Sequence, residues 1–117
     1  EAEARMVPAS MLVRLFASPV GVRMLQSERV EREWAFTYRR TAPDGSLQLL
    51  QGVVDCCFVE QGKWVLVDYK TDRDAAGAIE RHRGQLNLYA EALAAITGMP
   101  VAGRVLYLLR AGVGYSV

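Results

Sequence analysis

The chain has 117 residues, 51% hydrophobic and 23% charged, and its 14 basic and 13 acidic side chains leave a formal net charge of +1. This is the make-up of one soluble globular domain, able to bury about two-thirds of its unfolded surface, and no apolar run is long enough to cross a bilayer. So small a net charge excludes nucleic-acid binding through a global field, and any DNA contact has to come from local clustering.

The opening EAEARMV carries no turn, cap or initiator methionine and reads as the continuation of a longer polypeptide. Residues 8–27 read as two short packing helices. In the first, Met11, Leu12, Leu15 and Phe16 share a face. The second starts at Ser18-Pro19, an N-cap followed by a first-turn proline, with Val22, Met24 and Leu25 expected inward. From Val30 the pattern VEREWAFTYRR changes to strand alternation, with Val30, Arg32, Trp34, Phe36 and Tyr38 on one side and Glu31, Glu33, Ala35, Thr37 and Arg39 on the other. Pro43-Asp44-Gly45 supplies a turn, and Leu47, Leu49 and Leu50 lead into GVVDCCFVEQGKWVLVDYKTD, residues 52–72.

That stretch reads as a β-hairpin completing an antiparallel meander. Val54, Cys56 and Phe58 alternate against Val53, Asp55 and Cys57, and Val65, Val67 and Tyr69 against Leu66, Asp68 and Lys70. With Gln61-Gly62 as a two-residue loop, residue 60 pairs with 63 and Asp55 falls directly across from Asp68. Opposed side chains have Cβ atoms about 4.5–5.5 Å apart and like charges there repel, so a cation is expected. Lys70 shares the face of Asp68, but one lysine leaves a carboxylate short of compensation. Hard oxygen ligands at this spacing suit Mg2+, or Mn2+, and such a metal beside a lysine is a hydrolytic set for a phosphate ester. The same residues would also arise on a solvated hairpin face with an incidental lysine–aspartate pair. Cys56 and Cys57 are adjacent and face opposite sides of the strand, which argues against a disulfide and fits a reducing compartment; with no signal peptide, the cytoplasm is the expected location.

After Asp72, Ile79, Leu86, Tyr89, Leu93 and Ile96 recur at helical spacing, and Gly98 with Pro100 ends the helix. Gln85 and Tyr89 lie one turn apart on one face. Tyr89 suits the core, whereas a glutamine inside an inward stripe is harder to explain as packing. His82, one turn earlier, reads as a side chain bonded to water or to a neighbour. Lys70, Arg73, Arg81 and Arg83 form a local basic cluster suited to a DNA backbone, although each arginine taken singly also suits a solvated helix end. Residues 103–110, GRVLYLLR, read as a strand buried on both faces, and Gly112-Val113-Gly114 turns into a short terminal strand. The expected fold class is α/β: a central mixed sheet with an antiparallel meander, flanked by helices, in one unit over 1–117 with N-terminal helices 8–27 and a core 28–117.

Asp55 followed by Asp68-Tyr69-Lys70 resembles the Asp…(Asp/Glu)-x-Lys signature of the PD-(D/E)xK nuclease superfamily. With Thr71-Asp72, Gln85 and Tyr89, and with GVVD, VDYKTDR, QLNLYAEAL and VLYLL in that order over residues 28–117, the chain is similar to the C-terminal nuclease domain of AddA- and RecB-type ATP-dependent helicase-nucleases, more closely the AddA type. The resemblance implies a nuclease-like core and Mg2+-dependent hydrolysis of DNA ends for recombinational repair, with a partner subunit. It implies Asp55, Asp68 and Tyr69 as the metal set, Lys70 as electrostatic catalyst, and Gln85, Tyr89 and Glu33, the last matching a Glu-x-x-Phe strand, beside them. A non-enzymatic DNA- or subunit-binding module of the same fold is the other reading. Two cysteines cannot hold the iron–sulfur cluster of one branch of the superfamily. The family also uses a histidine from a helix before the first strand as a metal ligand, and the sole histidine in this sequence is His82, where AddA-like chains usually carry tyrosine. Either the chain begins after that helix or the ligand is lost. The chain by itself is expected to bind metal weakly and cleave slowly or not at all. No Walker motif is present, so helicase activity, if any, lies outside it.

Overall fold

The computed structural model describes residues 8–117. The expectation attached to EAEARMV, that it continues a longer polypeptide, lies outside the described residues. Two short helices, α1 (Ala9–Ala17) and α2 (Pro19–Gln26), precede a three-stranded meander of β1 (Val30–Thr41), β2 (Leu47–Glu60) and β3 (Lys63–Lys70); then come α3 (Ala75–Thr97), β4 (Val101–Leu108) and β5 (Val113–Ser116). The sheet order is β1-β2-β3-β4-β5, antiparallel throughout except that β3 and β4 run parallel. A parallel pair needs a long crossover, and α3 provides it. The expected mixed sheet with helices on its faces is therefore the one observed. No helix among the described residues is long and apolar enough to cross a membrane.

Local chemistry accounts for the joints. Ser18 accepts the Gly21 N–H at 3.2 Å and Pro19 occupies the first turn of α2. Asp44 Oδ1 accepts the Ser46 N–H at 2.9 Å, closing the β1–β2 turn. Gln61 and Gly62 both have positive φ, 52° and 75°, the two-residue turn whose twist matches a hairpin. Asp74 caps α3 by accepting the Gly77 N–H at 3.1 Å, and Gly98 ends it.

Each face of the sheet buries its own cluster. Leu15, Val20 and Met24 of the N-terminal helices pack on Cys56, Phe58, Val65, Val67, Val105 and Tyr107, whereas Leu86, Leu93 and Ala78 of α3 pack on Val54, Cys57, Trp64, Leu66, Leu106 and Leu108. Cys56 and Cys57 are both free and buried, one in each cluster, as their adjacency in a strand requires. β4 supplies side chains to both clusters, which is why its sequence is almost continuously apolar.

Three details of the expected pattern differ. On α2, Val20, Gly21 and Met24 are buried while Val22 and Leu25 are exposed, because the inward face is set by the contact with Leu15. On α3, Ile96 is exposed and Thr97 faces the sheet instead, its hydroxyl accepting the Trp64 Nε1–H at 2.9 Å. The fourth strand starts two residues earlier than expected, at Val101, and ends at Leu108; the Leu109 N–H still reaches the Lys70 carbonyl at 2.9 Å.

Candidate active site

The β2–β3 register is the expected one: Glu60 pairs with Lys63, Val59 with Trp64 and so on to Cys56 with Val67. There the ladder stops. The carboxylate of Asp55, the next residue of β2, accepts the Tyr69 backbone N–H through Oδ2 at 2.7 Å. Ladder N–H groups point along the sheet plane, so the Asp55 side chain reaches sideways into the sheet and does not stand on a face.

At the same level β1 and β2 share a matched irregularity. On β2, Cys56 and Phe58 face the N-terminal helices, but Val54 faces α3. Across the ladder, Val30 faces the N-terminal helices and Arg32 lies over the Phe16 ring at 5.2 Å, but Trp34, Phe36 and Tyr38 face α3. Both strands change face between the pairs Arg32–Cys56 and Trp34–Val54, at Glu33 and Asp55. Glu33 has φ 48° within a strand, a conformation that costs an L-residue about 1–2 kcal/mol. The strict alternation expected for both strands is therefore corrected here. A period-2 reading cannot register a slip that two paired strands make together.

Asp68 stands on the α3 side of β3 and is 3% exposed, the sole buried charged residue among those described. Lys70 Nζ lies 3.2 Å from its Oδ2, an ion-pair distance without hydrogen-bond geometry, and Oδ2 receives no hydrogen bond from the described residues. Burial pushes the Asp68 carboxyl up to about 7; the Asp55 carboxylate within hydrogen-bonding reach pushes the same way, and the Lys70 ammonium opposes both. Asp55, Asp68 and Lys70 thus converge at the C-terminal end of β3. The Tyr69 ring packs among the N-terminal-helix cluster, on the other face, so the metal contribution expected of Tyr69 has only its main chain available.

Gln85 and Tyr89 stand over the β1–β2 pair. Gln85 Nε2 donates to the Tyr89 hydroxyl at 3.2 Å, which leaves the buried Gln85 Oε1 without a donor. The Tyr89 ring meets Phe36 edge-on, with centroids 5.3 Å apart, and lies over Gly52: a Cβ there would be 2.8 Å from Tyr89 Cε1. Gly52 was not among the expected site residues. Its one sequence signal is a glycine inside a strand pattern.

The basic cluster is only partly available. Arg81 donates from Nη2 and Nε to Asp72 Oδ2 at 2.7 and 3.0 Å, and His82 Nε2 lies 3.2 Å from the same oxygen. Asp72, whose carboxyl the Arg81 hydrogen bond holds below the usual range, ties the loop after β3 to α3. Arg73 and Arg83 are exposed.

Among the described residues no three His, Cys, Asp or Glu side chains gather to hold a metal ion. Two carboxylates and a main-chain carbonyl nonetheless fit magnesium, which keeps several waters and is commonly held by one or two carboxylates plus substrate phosphate oxygens. The buried Asp68 Oδ2, which receives no hydrogen bond from the described residues and has one lysine as counter-charge to two adjacent carboxylates, is the observation that such an ion would answer.

Five strands, a crossover helix and an Asp, Asp, Lys set at one strand end are the arrangement of the PD-(D/E)XK fold class. The chain belongs to the PD-(D/E)XK nuclease superfamily, which it matches over residues 1–115. Within it, the chain is 39% identical over 119 residues to the AddA subunit of the ATP-dependent helicase/nuclease of Lysinibacillus sphaericus, and 42% identical over 121 residues to that of Alkaliphilus metalliredigens, with 92% of this chain covered in each case. The corresponding protein of Desulforamulus reducens is 37% identical over 122 residues. The chain spans 10% of the length of these curated relatives. The crystal structure of SSO0001 shares the fold, with TM-score 0.58 at 17% identity over 95% of this chain and 52% of that one.

Proposed function

We propose that this chain is the Mg2+-dependent deoxyribonuclease module of an ATP-dependent helicase-nuclease that processes double-strand DNA ends in the cytoplasm together with a partner subunit. The observation that carries this reading is the convergence of Asp55 and Lys70 on the buried Asp68 carboxylate, whose Oδ2 has the Lys70 ammonium at 3.2 Å as its counter-charge. The names of the relatives support the helicase-nuclease context.

In this reading Asp55, Asp68 and the Tyr69 carbonyl would hold a Mg2+ ion, which would supply polarisation of a phosphoryl oxygen and a lowered pKa for a water. Tyr69 also fixes Asp55 through its N–H. Lys70 carries its ammonium to the scissile phosphate and stabilises charge developing there as a water oxygen bonds to phosphorus, losing its proton to solvent, and one ester P–O bond breaks, the leaving oxygen taking a proton from solvent. Gln85, steadied by Tyr89, offers Oε1 to orient the water. Glu33 lines the same end of the sheet. Arg73 and Arg83 contact the backbone of a single-stranded end, and Arg81 does so only on leaving Asp72.

The non-enzymatic alternative is favoured by one observation, the lack of a third side-chain ligand among the described residues. The deciding experiment uses Lys70→Ala in the longest polypeptide that contains the chain. If Lys70 acts in the transition state, single-turnover cleavage of single-stranded DNA at saturation falls about a hundred- to a thousandfold with binding unchanged. If Lys70 only grips phosphate, binding weakens and its salt slope falls by about one instead. Absence of cleavage by the parent polypeptide in Mg2+ or Mn2+ would favour the binding module.

A further inference from the structure

Glu33 is exposed, sits mid-strand and has φ 48°, where neither a turn nor a loop demands it. Residues in sparsely populated conformations persist only where the surrounding structure imposes them, and they gather at functional sites. Here the imposing element is visible. Directly paired residues of an antiparallel ladder share a face, so β2 cannot move Val54 to the α3 side unless β1 moves Trp34 with it. The Arg32–Cys56 and Trp34–Val54 pairs keep one register on either side of the change, so both strands slip at the same level.

We propose that Glu33 acts through its backbone. Its left-handed conformation lets β1 and β2 change face together, and that change releases Asp55 from the β2–β3 ladder so that its carboxylate lies in the sheet plane, on the Tyr69 N–H and beside Asp68. In an uninterrupted strand Asp55 would stand perpendicular to the sheet on the side of Cys57, unable to reach an in-plane N–H of β3. Glu33 is on this view a positioning residue for the carboxylate pair, and its own carboxylate is dispensable for that task. The exposed site of its side chain, in contrast to the 3% exposure of Asp68, accords with this division.

The test compares Glu33→Gly and Glu33→Asn, which accept a left-handed backbone, with Glu33→Val, which does not. The Tyr69 amide is followed by 1H–15N NMR for chemical shift and hydrogen-exchange protection in the 117-residue chain, and Mn2+ affinity is measured on the same samples. Glycine and asparagine should keep the Tyr69 signal and the parent's Mn2+ affinity, and valine should lose about tenfold in Tyr69 protection, the equivalent of one left-handed residue. The Tyr69 amide reports Asp55 whatever chemistry the site performs, so an inactive nuclease leaves this result intact. Should valine fail to fold, the other two variants still decide. Loss of the Tyr69 protection in folded Glu33→Gly and Glu33→Asn, or its retention in Glu33→Val, would overturn the proposal.

Discussion

Glu33 and Asp55 lie between the Arg32–Cys56 and Trp34–Val54 pairs of β1 and β2, at the level where both strands change from the N-terminal-helix side of the sheet to the α3 side. One consequence is that the Asp55 carboxylate meets β3 in the plane of the sheet, while Asp68 reaches the same place from the α3 face. Two carboxylates therefore approach one another without being a ladder pair.

If a divalent ion binds between these carboxylates, the fold should respond to cations. Ligand bound only by the native state stabilises by about 2.7 kcal/mol at a hundredfold excess over Kd. Manganese should raise the melting temperature of the parent chain, by less than that bound because no third side-chain ligand is gathered among the described residues, and should leave Asp68→Asn unmoved. Equal shifts in both proteins would remove the metal site from consideration.

Asp68 should also impose a pH dependence on the metal-free protein. Its carboxyl is raised in the folded state from 3.8 to about 7, first by burial. The native state thus holds the proton more tightly than the unfolded one; stability is complete below the unfolded value and is lost as the pH rises through about 7. At about 1.4 kcal/mol per pH unit the loss is on the order of a few kcal/mol. Asp44, Glu60 and Asp72 have lowered values and act in the opposite sense, so the measurement is the difference between parent and Asp68→Asn in chemical denaturation from pH 4 to 8. A constant difference across that range would contradict the assignment.

Gly52 is expected to be intolerant of a side chain. A Cβ would come within 2.8 Å of Tyr89 Cε1 and 3.0 Å of Phe36 Cζ, and overpacking of this kind costs about 1–3 kcal/mol. Gly52→Ala should lower stability by that amount, and the loss should shrink when Tyr89→Leu is added, a coupling read from a double-mutant cycle. Additive losses would place the strain elsewhere.

Trp64 offers a control remote from the chemistry. Its buried indole N–H donates to Thr97 at 2.9 Å, and leaving a buried donor unpaired costs about 1–3 kcal/mol. Thr97→Val should cost that in stability while leaving the Mn2+-induced shift in melting temperature unchanged. A change in the metal response would mean that the far end of α3 is coupled to Asp68.

The hairpin register, the Gln61-Gly62 turn, the Ser18-Pro19 helix start and the proximity of Asp55, Asp68 and Lys70 were all legible in the residues, because each depends on chemistry within a few positions or on a register that a turn propagates. Helix faces were less so. Val22 and Leu25 are as apolar as Val20 and Met24, and only the packing partner Leu15 decides which pair turns inward. The same holds for Ile96 and Thr97, where a hydrogen bond to Trp64 outweighs hydropathy.

What the sequence determined by itself was the inventory of candidate carboxylates and cations and the ladder that brings β2 against β3. Only the tertiary structure decided how the carboxylates present themselves. Alternation predicts the direction of a strand side chain as long as the backbone keeps a period of two. The shared change of face at Glu33 and Asp55 breaks that period in two strands at once, and no composition rule marks it, since neither residue is a glycine. The same holds for the ties around Asp72, where Arg81 and His82 reach back from the helix to the loop before it: the pairing spans nine and ten residues, and it exists because α3 lies back across the end of β3.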